Sequence, residues 1–282
     1  MIVDCHTHLD LLQSEPDVAG HLAAADRVDA CIVLACPNDD RTLSNERTAQ
    51  YVADHVNKMV GFAVVEPTRD TLDDAALATL TRELHFSGFV AYCSSSGFHP
   101  THSKAMHFYA ALEELGTPLF FHNGDLDVSS DGVLAYAQPY LLDEVARTFP
   151  ELKMIIGCMG VPFVDQTLAV LARHENVYAD LTIRPSNVWQ TYNMVVAAHE
   201  QGVMDRLVFG SGYPLGNVEA CIEALLGFNT LLGGTNLPTV PRGSIRNVVE
   251  RNSLELLGIA HSPIESGAAP PQKDAILENQ GR

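Results

Sequence analysis

Apolar runs and amphipathic stretches alternate along the chain with a short, regular period. The apolar runs lie at Ile2–Cys5, Ala30–Cys36, Met59–Val65, Gly88–Cys93, Pro118–His122, Leu152–Cys158, Asn176–Leu181 and Arg206–Gly210. Each has the length and composition of a strand buried on both faces. Between them, polar and apolar positions recur with helical spacing at Pro16–Asp26, Ser44–Asn57, Asp73–Leu84, Lys104–Leu115, Tyr140–Phe149, Phe163–His174, Val188–Gln201 and Asn217–Leu226. Start signals mark several of these, such as Pro16 after Ser14-Glu15, or Asp73-Asp74 in a first turn. Eight strands alternating with eight helices predict an α/β fold, a parallel sheet closed into a (β/α)₈ TIM barrel. A doubly wound sheet is the alternative, but eight alternations within a single stretch of this length suit the barrel better. A further helix at Arg242–Leu257 is expected against the bottom or side, giving one domain over residues 1–260. Residues 261–282, with Ser262-Pro263 and Gly267-Ala268-Ala269-Pro270-Pro271, read as a flexible tail, or one ordered by a second subunit in a homodimer.

Composition supports this picture and narrows the partners. With 282 residues and 46% hydrophobic positions, the chain can build a large core without disulfides. Its 35 acidic residues against 17 basic give a formal charge of −18. Such a surface repels phosphate backbones, so nucleic acid and anionic membranes are poor partners and a small molecule is the better expectation. Met1 leads into a strand-like run with no basic segment and no long apolar stretch, which argues for a cytoplasmic protein with its six cysteines as free thiols.

In a (β/α)₈ barrel the chemistry sits at the carboxyl ends of the strands. That rule selects His6 and His8, Cys36 and Asn38, Glu66, Tyr92 and Cys93, His122 and Asp125, Cys158, Asp180 and Arg184, and Ser211 and Tyr213. The pair His6-Thr7-His8 stands out. Alternate residues of an extended strand share a face, about 6.6 Å apart along it. Two imidazoles converging there suit zinc or a similar divalent metal, although two surface histidines on a loop would read the same way.

Taken in order, the strand-end segments are more specific than that pair. They are His6-Thr7-His8, Pro118-Leu119-Phe120-Phe121-His122-Asn123-Gly124, Leu152–Gly160 with Cys158 at its strand end, Asn176-Val177-Tyr178-Ala179-Asp180-Leu181, and Gly210-Ser211-Gly212-Tyr213-Pro214. Together they resemble the amidohydrolase-2 family, a branch of the amidohydrolase superfamily that includes aminocarboxymuconate-semialdehyde decarboxylase and resorcylate-type decarboxylases. The resemblance runs from about residue 1 to residue 258. It implies one divalent metal, zinc for preference, held by His6, His8 and His122. His122 would otherwise cap its strand end.

Three departures accompany the resemblance. Where the family carries a strand-six histidine, this chain has Cys158; where it carries a strand-eight aspartate that binds metal and moves a proton, this chain has Gly212. A Lys-x-His pair at strand four is replaced by Ala91-Tyr92-Cys93. Loss of an acid–base group typically removes roughly 10²–10⁴ in rate. Cys158 could serve as a thiolate ligand or auxiliary catalytic group, or be a small buried residue. Asp125, beside His122, could move protons from its loop, or cap that loop; Asp127 and Glu66 are more readily structural, and Asp180 more readily orients a neighbour or Arg184. The stretch Ser94–Pro100 resembles the family's substrate-covering loop, so Phe98, with Trp189 and Tyr213, could line a pocket. Arg184 suits a substrate carboxylate, with a surface ion pair as its rival. The sequence thus predicts a metal-dependent hydrolase or decarboxylase for a small carboxylic or cyclic substrate, with a rearranged site. The alternative is an inactive barrel that binds a ligand, a metal or a partner subunit.

Overall fold

The computed structural model describes residues 1–9, 16–37, 40–122 and 132–261. Asn38, Asp125, Asp127 and the expected tail beyond His261 lie outside the described residues. The eight anticipated strands all form: β1 Val3–Thr7, β2 Ala30–Leu34, β3 Met59–Val65, β4 Gly88–Ala91, β5 Leu119–Phe121, β6 Met154–Ile156, β7 Val177–Thr182 and β8 Leu207–Gly210. They pair in parallel in sequence order, β1 to β8, and every residue in them is buried. The helices are α1 Val18–Ala25, α2 Arg41–Asp54, α3 Asp74–Ala78, α4 Cys93–Ser96, α5 Ser103–Leu115, α6 Leu142–Thr148, α7 Val164–Arg173, α8 Val188–Glu200, α9 Val218–Leu226, α10 Arg242–Val249 and α11 Ser253–Leu256. The chain folds as a (β/α)₈ barrel.

Two apolar layers hold it together. One face of the strands fills the barrel with Ile32, Leu34, Val60, Phe62, Val64, Val90, Phe120, Ile155 and Val208; the other packs against the helices through Val33, Phe89, Phe121, Ile156, Leu181 and Phe209. Gly88 is required by the inner layer: a Cβ there would stand 2.4 Å from the Phe62 ring. Small and large residues alternate across the barrel so that the aromatic ring fills the space.

Where one C-terminal helix is expected, two form. Asn252 interrupts the run and caps α11, accepting from the Glu255 N–H, while Arg251 turns back to donate to the Leu207 carbonyl at 3.2 Å. The break lets Leu254, Leu257 and Ile259 join the interior layer beside Val3 and Tyr178, closing the bottom of the barrel. All six cysteines are free and buried. Among the described residues no helix is long and apolar enough to cross a membrane.

Candidate metal centre

At the open end of the barrel, β1 and β5 bring three imidazoles together. His6 Nε2 lies 3.1 Å from His8 Nε2 and 3.0 Å from His122 Nε2, and all three residues are buried. The opposite ring nitrogens decide what these atoms are. His8 Nδ1 donates to the Leu34 carbonyl at 3.0 Å, and His6 Nδ1 donates to Asp180 Oδ2 at 2.5 Å. In the neutral tautomer each ring then directs an Nε2 lone pair inward. Lone pairs facing one another at 3 Å repel unless a cation lies among them. Zinc–imidazole bonds of about 2.0–2.1 Å place ligand nitrogens roughly 3–3.4 Å apart, so the donor set fits one divalent metal.

The rings are held on all sides. Phe120 meets His6 edge-on, with centroids 5.2 Å apart. Tyr92 stacks on His122 at 4.6 Å and 28°, and its hydroxyl donates to the Ala35 carbonyl at 3.0 Å. Tyr92, anticipated at the mouth, is thus a ring support. Burial alone pushes all three imidazoles down. For His6 the adjacent Asp180 carboxylate overcomes that penalty and raises its pKa, while His8 and His122, facing His6, are lowered. Proton uptake by the metal-free cluster is thus directed to His6, and metal binding requires that proton to leave.

Asp180 has the orienting role foreseen for it, and its partner is His6. Its Oδ1 also accepts from the Cys158 N–H at 2.5 Å. That N–H starts an unusual turn: Cys158, Met159 and Gly160 have φ of 50°, 53° and 64°. Three consecutive left-handed residues, two of them not glycine, are costly and persist only where the surroundings fix them. The Cys158 thiol lies 3.9 Å from His6 Nδ1. It belongs with His6 and Asp180 in a second group that shares only His6 with the three-histidine set. The thiol therefore flanks the ligand ring rather than joining the three Nε2 atoms. Cys36 has a similar place at His8, with Sγ 3.5 Å from Nδ1. Cys93 faces the helix layer instead.

The remaining anticipated residues are dispersed. Phe98 is buried in the layer between strands and helices, not in the mouth. Trp189 is 66% exposed and stacks on Tyr192. Glu66 pairs with Arg41 at 3.0 Å and Arg69 at 2.9 Å, a structural ion-pair network. Gly212 has φ +67°, and a Cβ on it would stand 2.9 Å from Thr182 Cγ2 and 3.4 Å from Arg184 Nη1. Gly212 thus has a backbone suited to glycine, with the Arg184 guanidinium beside it. Ser211 is buried at the same strand end.

Tyr213 turns towards α1, its hydroxyl donating to Asp17 at 3.3 Å and its ring meeting His21 edge-on. His21 was no candidate from sequence, yet it is buried, with Nδ1 2.8 Å from the Tyr51 hydroxyl. Burial pushes its pKa from 6.5 down to about 4, with Asp17 opposing and His55 adding to the fall. The unfolded chain takes up this proton near pH 6.5 and the folded protein only near 4. Stability contributed by His21 is therefore lost as pH falls through that window, by on the order of 3 kcal/mol. Denaturant unfolding at pH 7 and pH 4.5 should give a steeper loss for wild type than for His21→Gln; parallel losses would contradict this.

Comparison with known proteins agrees with the geometry. A family profile described as amidohydrolase matches residues 3–259. The chain belongs to the amidohydrolase family. Three solved structures illustrate the shared fold. A probable 2-pyrone-4,6-dicarboxylic acid hydrolase from Acinetobacter baumannii, with citric acid bound, is 16% identical at a TM-score of 0.65, covering 92% of this chain and 99% of that one. A 2,6-dihydroxybenzoate decarboxylase from Rhizobium is 17% identical at 0.63, covering 91% and 98%. A 5-carboxyvanillate decarboxylase from Novosphingobium aromaticivorans, complexed with manganese and 4-hydroxy-3-methoxy-5-nitrobenzoic acid, is 14% identical at 0.63, covering 92% and 96%. A search of curated protein sequences finds no match. In this amidohydrolase, Asp4 is a fully buried carboxylate that the sequence pattern concealed, accepting from the His6 N–H at 3.2 Å. A carboxylate inside an apolar strand run was the available signal.

Proposed function

We propose that this amidohydrolase is a metal-dependent hydrolase or decarboxylase acting on a small carboxylic or cyclic substrate. The observation that carries the reading is the convergence of the His6, His8 and His122 Nε2 atoms at 3.0–3.1 Å, with Nδ1 of His6 and His8 tied off by acceptors. These three residues would hold the metal. When bound, such an ion supplies Lewis-acid polarisation of an oxygen or lowers the pKa of water. Zinc suits a set of imidazole nitrogens; manganese, present in the Novosphingobium decarboxylase structure, is the other ion to test.

The protein's own groups divide the remaining work. Asp180 and the Leu34 carbonyl keep the Nδ1 protons of His6 and His8, so Nε2 remains the ligand atom. Phe120 and Tyr92 fix the planes of His6 and His122 and keep water off their faces. Arg184 presents its guanidinium next to Gly212, where a substrate carboxylate could be clamped. With no acid at strand eight, we assign proton transfer to Asp125, three residues after His122. Cys158 is the auxiliary group beside His6. A cytoplasmic location fits this assignment, since free thiols next to a metal site require reducing surroundings.

The second reading, an inactive barrel that keeps its ligand or metal, is favoured by Cys158 and Gly212. Protein reconstituted with zinc or manganese should release CO₂ from a hydroxylated benzoate, or open a cyclic ester carrying carboxylates, and lose this activity with chelator. Metal-loaded protein that binds such compounds without turning any of them over would favour the second reading.

A further inference from the structure

The two ligand histidines of β1 should not face the barrel together with Cys5. In a regular strand Val3, Cys5 and Thr7 would share one face and His6 and His8 the other. Yet Val3 and Cys5 belong to the interior layer, and His6 and His8 also turn inward to meet His122. The pairing with β2 explains how. Val3 aligns with Ala30 and Asp4 with Cys31, but Thr7 aligns with Val33. Three steps along β1 match two along β2, so one extra residue is inserted between Asp4 and Thr7. Such a bulge re-aims every side chain after it and leaves a backbone group in need of a partner.

Asp4 meets that need. Its Oδ1 accepts from the His6 N–H at 3.2 Å, two residues along the same strand. The same oxygen accepts from the Ser211 N–H at 2.9 Å, across the seam where β8 returns to β1. No continuous ladder joins these two strands among the described residues; a single bridge, Thr7 to Tyr213, lies beyond. Backbone bonds from Gly212 N–H to the His6 carbonyl and from His8 N–H to the Tyr213 carbonyl, at 2.9 and 3.0 Å, complete the closure. Asp4 is fully buried, so this carboxylate is placed there at a desolvation cost that packing alone does not require.

We propose that Asp4 is a positioning residue for the metal centre: its carboxylate clasps the β1 bulge to β8 and thereby aims His6 and His8 at His122. The proposal rests on the reading of the three histidines as metal ligands. Asp4→Ala leaves the two N–H groups without their acceptor, whereas Asp4→Asn keeps an amide oxygen in its place. Titration of metal-free protein with Co²⁺, followed by its visible absorption, reads both affinity and ligand geometry. Asp4→Ala should weaken binding by roughly 10–100-fold, the usual cost of losing an outer partner, and alter the spectrum. Asp4→Asn should bind within about threefold of wild type with the wild-type spectrum. Equal affinity and an unchanged spectrum in a folded Asp4→Ala protein would overturn the proposal, as would an Asn variant no better than Ala. If wild type itself takes up no Co²⁺, the metal reading fails. The clasp is then judged by amide hydrogen exchange of metal-free protein: His6 and Ser211 should lose protection in Asp4→Ala and keep it in Asp4→Asn, and unchanged protection in Asp4→Ala would overturn it.

Discussion

His122→Ala is expected to strip the protein of divalent metal while leaving the barrel folded. His122 follows directly on β5, and its ring is fixed by stacking on Tyr92 rather than by a network of charges. Removing it therefore leaves a void under Tyr92 but no uncompensated buried ion, at a cost of about 1–3 kcal/mol. Part of that is returned, because one of three crowded imidazoles disappears. The metal has no such compensation. Loss of an outer partner costs a metal site roughly 10–100-fold, and loss of one of three direct ligands must exceed that. Equilibrium dialysis should show metal affinity reduced more than 100-fold, with circular dichroism unchanged. Stoichiometric metal retained by the variant would remove His122 from the ligand set.

Asp180→Ala is expected to be the more damaging substitution for stability. Its carboxylate serves two fully buried donors, the His6 Nδ1–H and the Cys158 N–H. Leaving a buried donor without a partner costs about 1–3 kcal/mol, more where a charged group is involved. The left-handed run from Cys158 to Gly160 loses its anchor at the same time. A total of roughly 3–5 kcal/mol, at about 2–4 °C per kcal/mol for a domain of this size, lowers Tm by on the order of 10 °C. Metal affinity should fall roughly 10–100-fold as well. Asp180→Asn, which keeps one acceptor, should recover part of the stability. An Asp180→Ala protein that melts within about 2 °C of wild type would show that these bonds carry little.

The strands and helices were legible because parallel barrel strands are apolar throughout and the intervening helices are amphipathic. Local pattern and tertiary demand agree at all eight units. The division of the C-terminal segment was not legible. Helical spacing continues through Glu250-Arg251-Asn252, and only the docking of Leu254 and Leu257 into the barrel forces the break. In the site, His6, His8 and His122 could be read from strand-end position, and the orienting role of Asp180 from the same rule. The strand rule correctly placed His6 and His8 on one face, but it did not show why that face should point inward. That depends on an inserted residue whose evidence is the register against β2. Cys158 and Gly212 were visible as departures, but their consequences lie in backbone conformation. A left-handed turn places the thiol beside Nδ1 of His6, and a positive φ at Gly212 brings strand eight close to Arg184. Phe98 drew notice through its loop motif, yet an aromatic ring next to a strand end is readily taken into the helix layer.

The central claim is that the three converged imidazoles hold a metal, and the most direct measurement is the metal content of the protein itself. Full-length protein purified without chelator and without an affinity metal should carry about one equivalent of divalent transition metal per chain by elemental analysis, as expected of a site with structural-grade affinity. Less than about a tenth of an equivalent, persisting after incubation with zinc and manganese and removal of the excess, would contradict the account.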